Sequence, residues 1–149
     1  MPNFRRFLPL APALLNEVRK NASFMIEALF NQPNYLAAKK TLDAVALRQE
    51  AIASNIANLE TPGYKRVDLA PSFEKQLENA VAAGDAPQIT SLKPTLAADA
   101  NAVPGSRDGN TVHLESELMA MNQNAMTHAL ETQLVSGMLQ RMRLAITGK

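Results

Sequence analysis

Residues 53–66 read Ala53-Ser54-Asn55-Ile56-Ala57-Asn58-Leu59-Glu60-Thr61-Pro62-Gly63-Tyr64-Lys65-Arg66, and the reading of this stretch decides the fold. Ile56 and Leu59 prolong the apolar spacing of the residues before them, so a helix runs into the stretch. Pro62 ends that helix, because the residue before a proline is pushed out of the α region. Thr61-Pro62-Gly63-Tyr64 has the chemistry of a type II turn: proline presets φ at the second position, and glycine accepts positive φ at the third. No local catalytic logic requires this string. It reads as a segment that leaves a helix in one fixed direction.

Upstream, Tyr35, Ala38, Leu42, Val45, Gln49, Ile52, Ile56 and Leu59 recur at alternating steps of three and four. That is a heptad seam on a helix from about Tyr35 to Leu59. Gln49, its one long polar member, is expected to be partly exposed or internally hydrogen-bonded, the alternative being a residue that sets register. Residues 1–24 match no period and read as a loose extension, with a short helix possible around Leu14, Leu15 and Val18. A new segment opens at Met25.

Downstream, residues 72–83 form a short helix with Ser72 as candidate N-cap, Phe73, Leu77 and Val81 on one face, and Gly84 as the stop. Residues 84–110 carry Pro87, Pro94, Pro104 and three glycines and read as a flexible or extended linker, ordered on assembly. A second long helix runs from about Leu114 to Ile146 and spans roughly 50 Å. Its seam is Leu114, Leu118, Met121, Ala125, His128, Thr132, Val135, Leu139, Met142 and Ile146. Met126, Leu130, Leu134 and Met138 form a second stripe beside it. One partner helix cannot cover both, so the apolar arc is expected to face an intramolecular helix and a neighbouring subunit. The fold class is therefore mainly α: two long helices paired as a coiled-coil-like hairpin, one short helix, and a linker between them. The organisation is an extension over 1–24, a helical segment with the turn over 25–83, the linker over 84–110, and a C-terminal helix over 111–149 that pairs with 35–59.

Composition narrows the function. Of 149 residues 24 are alanine, aromatic residues make up only 5%, and tryptophan is absent. That is thin material for a self-sufficient core and suits helices that pack on neighbouring molecules. Fifteen basic residues against fourteen acidic ones leave a net charge of +1, too dispersed for a nucleic-acid footprint. Lys39-Lys40 and Lys65-Arg66 read as solvated charges. Cysteine is absent, which excludes disulfides and thiolate metal sites. Arg5-Arg6-Phe7-Leu8-Pro9-Leu10 superficially resembles a secretion signal, but Pro9 and Pro12 break its apolar run and a cleaved signal is not expected. His113 and His128, the two histidines, have no metal-ligand spacing. Glu115 and Glu117 point apart on a helix and make no carboxylate pair; with Arg141 and Arg143 they suit the helix dipole. Asp108-Gly109-Asn110 lacks the remaining ligands of a calcium loop. No enzyme, cofactor or small-molecule substrate is expected. The methionines, five of seven in the second helix, suit adaptable packing at an interface.

Asn55-Ile56-Ala57-Asn58 followed after two residues by Thr61-Pro62-Gly63-Tyr64-Lys65-Arg66 resembles the N-terminal signature of the axial proteins of the bacterial flagellum: rod, hook and hook-associated proteins. Asp108-Gly109-Asn110-Thr111-Val112, with Leu114, Glu115, Glu117 and the long helix, resembles the C-terminal half of the short proximal-rod type, which lacks a large inserted domain. The resemblance covers residues 25–83 and 106–146 well, the linker poorly, and residues 1–24 not at all. It implies that Met25 is the biological start. It also implies a structural subunit that stacks helically with itself and other rod proteins, meets a membrane-ring or adaptor protein at the rod base, and helps transmit torque. Export by the flagellar type III apparatus without signal cleavage, to the periplasmic rod, follows from the same resemblance. The expected helix-exit motif is Asn55, Ile56, Asn58, Thr61, Pro62, Gly63 and Tyr64. Helix pairing and assembly are expected at Leu42, Val45, Ile52, Leu59, Leu118, Met121, Val135, Leu139 and Met142. His113 departs from the short polar or acidic residue usual at its position, so either Thr111 or Asn110 caps the second helix instead or the helix start frays. The alternatives are another rod protein of the family, or a soluble helical binding module or export chaperone.

Overall fold

The structure, a computed structural model, describes residues 16, 17, 20, 27, 28, 30–104 and 107–148. The chain divides into two units, residues 1–31 and 32–149. In the first, residues 16, 17, 20, 27, 28 and 30 are helical, and the Asn31 N–H donates to Glu27 O at 3.0 Å. Leu14, Leu15, Val18 and Met25 lie outside the described residues.

The second unit is built on two long helices. Helix α1 covers Pro33–Ala57, with proline in its first turn where the missing N–H costs nothing. After it come strand β1 (Val67–Leu69), helix α2 (Pro71–Ala83), helix α3 (Ala86–Ser91), strand β2 (Leu96–Ala98) and helix α4 (Leu114–Thr147). Helices α1 and α4 pack along one another. They run antiparallel: Asn55 near the end of α1 bonds Glu117 at the start of α4, whereas Asn124 reaches back to Val45 and Gln49. The strands pair antiparallel in the register Val67↔Ala98, Asp68↔Ala97 and Leu69↔Leu96. The core lies where α1 meets these elements, with Ile52, Ile89 and Ala80 fully or almost fully buried.

Several boundaries and faces differ from the expectation. Helix α1 stops at Ala57, two residues before Leu59, because the chain tightens to bonds three residues apart: Asn58 to Asn55, Leu59 to Ile56 and Thr61 to Asn58. Helix α2 starts at Pro71 with Ala70 as N-cap, two residues ahead of the expected cap Ser72. Gly84 ends it at φ 67°.

The expectation of a flexible linker over 84–110 is corrected. Asp85 caps α3 by accepting from the Gln88 N–H at 2.9 Å, and Pro87 sits in that helix's first turn. β2 then finds its partner in β1, and Ile89 is fully buried. Among the described residues there are thus two short helices between the long ones, the expected α2 and the unexpected α3. The proline-rich composition hid α3 and β2 because each is too short for a periodic signal.

The seams also rotate. Val45 and Ile52 are buried, Leu42, Ile56 and Leu59 are half-buried, and Ala44, Ala51 and Asn55, one position from the seam, are buried. On α4 the buried positions are Glu117, Ala120, Asn124 and Met142. Leu118 and Leu139 stay 43% and 40% exposed, and Met121 and Val135 are half-buried. Polar anchors occupy the contact face, so an apolar count places the seam one residue off.

Candidate functional site: a clamp at the helix exit

The exit from α1 is built on backbone constraints. Tyr64 N–H donates to Thr61 O at 3.3 Å, closing the turn, and Gly63 sits at φ 73°. That conformation is open to glycine and strained for other residues. Side chains brace the turn from the helix side: Asn58 Nδ2 donates to Ser54 O at 2.8 Å, Thr61 Oγ1 donates to Asn58 Oδ1 at 3.2 Å, and Tyr64 and Ser54 share a hydroxyl hydrogen bond of 3.1 Å. Pro62 and Gly63 themselves are exposed.

The segment before α4 grips this turn. Asn110, 3% exposed, directs its Nδ2 at the carbonyls of Asn58, Leu59 and Thr61, at 3.0, 2.8 and 2.9 Å. Its Oδ1 accepts from Val112 N–H at 2.8 Å. Thr111 N–H donates to Tyr64 O at 3.1 Å, and Thr111 Oγ1 accepts from Arg66 N–H at 2.8 Å. Lys65 Nζ reaches Gly109 O at 2.9 Å. One amide thus supplies a donor to Leu59 O and a second donor to Asn58 O and Thr61 O, which already accept from the Thr61 and Tyr64 N–H groups. The expected capping of α4 by Asn110 or Thr111 is corrected: both side chains serve the turn. The N-cap position is His113, which makes no side-chain cap, and its Nε2 lies 3.0 Å from Val103 O.

Beneath the clamp lies a charged cluster. Arg66 is held by three carboxylates: Nε donates to Glu117 Oε1 at 2.7 Å, Nη1 to Asp99 Oδ2 at 2.8 Å and Nη2 to Asp68 Oδ2 at 2.9 Å. Its side chain is 13% exposed, and Glu117 is fully buried. Arg48 joins from α1, donating from Nη2 to Asp68 Oδ2 at 3.1 Å, with its Nε 2.9 Å from Oδ1 in an unfavourable angle for a bond. Asn55, fully buried, completes the set: Nδ2 donates to Val67 O at 2.8 Å and to Glu117 Oε2 at 3.2 Å, and Oδ1 accepts from Val67 N–H at 3.0 Å. One cluster therefore joins α1, β1, the end of β2 and α4. The reading of Lys65-Arg66 as two solvated charges is corrected for Arg66. Asp68, two residues on, gives no hint of this burial, because the other two partners, Asp99 and Glu117, stand 33 and 51 residues away.

Burial alone would depress the Arg66 guanidinium, but its bonds to Glu117 and Asp68 outweigh this and raise it. Burial would likewise push the Asp68 carboxyl up. The Leu69 N–H and the two arginines more than offset it and hold that carboxyl below the usual carboxylate range. A carboxyl depressed in the folded state adds stability that is complete above its unfolded pKa, about 3.9, and is lost as pH falls through the lower folded value. Stability of the second unit should therefore decline on the acid side. Urea midpoints measured across acid pH should show Asp68→Asn less stable at neutral pH and flatter in its acid decline than the unsubstituted chain.

Among the described residues no group of histidine and carboxylate side chains is arranged to hold a metal ion. No described helix is long and apolar enough to cross a membrane. An antiparallel helical hairpin, locked at one end by a shared clamp and leaving long apolar faces of α4 uncovered, defines a helix-packing structural protein. The sequence model of the family described as "Flagella basal body rod protein" matches residues 36–65, which is α1 and its exit turn. The chain is 30% identical over 120 residues to the flagellar basal body rod protein FlgB of Escherichia coli K12, covering 70% of this chain and 86% of the relative. It is 29% identical over 127 residues to the FlgB of Borrelia hermsii, covering 73% and 92%. With the FlgB of Borreliella burgdorferi it shares 32% over 109 residues, covering 61% and 78%. The chain belongs to the FlgB family of structural proteins of the flagellar basal body rod.

Proposed function

We propose that the chain forms the proximal rod, joining the membrane ring to the distal rod and hook and helping to transmit torque, and that it does so without catalysis. The observation that carries this reading is the clamp. Asn110 and Thr111 bind the α1 exit directly, so residues 67–108 form a short arm on the hairpin and no large inserted domain separates the two helices. Asn55, Ile56, Asn58, Thr61, Pro62, Gly63 and Tyr64 fix the same exit direction in every copy. Val45, Ile52 and Met142 serve the interior of the subunit. Leu118 and Leu139 turn outward for contacts in the assembly, with Leu42, Leu59, Met121 and Val135 at the margin between the two. The partners are further copies, other rod proteins and a ring or adaptor protein at the rod base. Such a subunit reaches its site through the flagellar type III apparatus without losing a signal peptide. Deleting the gene and imaging purified basal bodies tests the assignment: rods should be missing and motility lost. Intact rods in swimming cells would sink it.

A further inference from the structure

Two uncovered apolar features of the second unit are complementary. The first is a groove of about 580 Å³ between α1 and α2. Ala37, Thr41 and Ala44 line its α1 side, beside Arg48, whose charge is met by Asp68; Phe73, Leu77 and Val81 line its α2 side, where Glu74 and Glu78 form an exposed acidic rim. The second is the outer stripe of α4. Met119, Met126, Leu130 and Leu144 are 64%, 74%, 57% and 55% exposed. By helical phase they stand opposite the buried Glu117, Ala120 and Asn124. Gly137 lies in the middle of this stripe, and a Cβ there would meet nothing within 4 Å. A glycine inside a helix weakens it relative to alanine, so an open mid-helix glycine is a cost that the isolated chain does not recover. It is recovered where another backbone approaches closely. Arg141, exposed and one helical turn beyond Gly137, is a cation on the same face.

We infer that the outer stripe of α4 in one copy docks in the α1–α2 groove of a second copy, with Gly137 at the closest approach and Arg141 meeting the Glu74–Glu78 rim. This deepens the rod reading and rests on it. The two features cannot meet within one copy, because α4 already turns its opposite face to α1. The contact is therefore heterologous, and repetition adds subunits in one direction without closing a dimer. The acidic rim and the arginine choose the occupant: a stripe of like apolarity carrying an acidic residue at that place would be repelled.

The chain has no cysteine, so introduced thiols report contacts without background. Full-length Leu77→Cys and Leu130→Cys, oxidised as a mixture, should cross-link to each other, each alone should not, and the doubly substituted chain should give a ladder of multimers. Glu74→Arg with Glu78→Arg should lower the ladder yield about tenfold, and adding Arg141→Glu should restore it. Gly137→Ala supplies the readout that a structural role would not move: melting of the monomer should hold or rise while the ladder weakens. A chain that stays monomeric, Leu130→Cys that cross-links to itself, or Leu130→Cys that joins only a different rod protein overturns the docking pair. If gene deletion abolishes rods while the mixture fails to cross-link, the docking pair falls alone. If rods survive deletion, the rod reading falls.

Discussion

Arg66→Ala should destabilise the second unit by about 3–5 kcal/mol, the cost of leaving a buried ionic partner without its counter-charge. Glu117 is fully buried, and its remaining partner would be the Asn55 amide, which carries no charge. Asp68 and Asp99 would lose the same cation. Set against a total stability of about 5–15 kcal/mol for a domain, this is a large fraction. Urea unfolding of the full chain, followed by circular dichroism, reads it directly. The paired change Arg66→Met with Glu117→Met should recover much of the loss, since well-packed apolar residues can replace a buried ion pair at little cost. If Arg66→Ala costs no more than the ~0–1 kcal/mol of a surface pair, the cluster is not the anchor its geometry describes.

The second large effect is at Asn110. Asn110→Ala removes the one donor group shared by the carbonyls of residues 58, 59 and 61 and the acceptor for Val112 N–H. Each buried group left unsatisfied costs about 1–3 kcal/mol, and water reaching the exposed turn will repay part of it, so a net loss of about 2 kcal/mol is expected. Hydrogen exchange should quicken at the amides of Thr61, Tyr64 and Thr111, which form this clamp's backbone bonds, while the middle of α1 stays protected. A uniform rise in exchange along α1 would mean that Asn110 acts on global stability and not on the exit.

How much of this was legible in sequence depends on how far each residue acts. The turn at 61–64 was legible because proline and glycine impose their φ values with no partner. The two long helices were legible because their periods persist over many turns. The register of α4 was not, since the contact face is carried by Glu117 and Asn124, polar residues that an apolar pattern assigns to solvent. Their burial becomes sensible only once Arg66, Asn55, the Val45 carbonyl and Gln49 are seen to meet them. Asn110 was visible as a polar residue ahead of a helix. Its true acceptors lie some fifty residues upstream, beyond any local rule. The short elements in 84–110 were hidden for the opposite reason: Pro87, which opens a helical turn, reads, without the Asp85 cap, as a proline that breaks one.

The clamp has a consequence for how such a chain tolerates change. Because Tyr64 and Arg66 are tied to Thr111, the arm over 67–110 leaves the hairpin and returns to it at a single point. Its two ends stay together whatever lies between them. Doubling the length of a flexible loop with fixed ends adds only about 0.6 kcal/mol of closure entropy. The arm also packs on α1 through Ile89 and the Arg66 cluster, so this tolerance belongs to its exposed loops, away from that shared core. Material added in such a loop enlarges the subunit sideways and leaves the clamp that sets α1 on α4 in place.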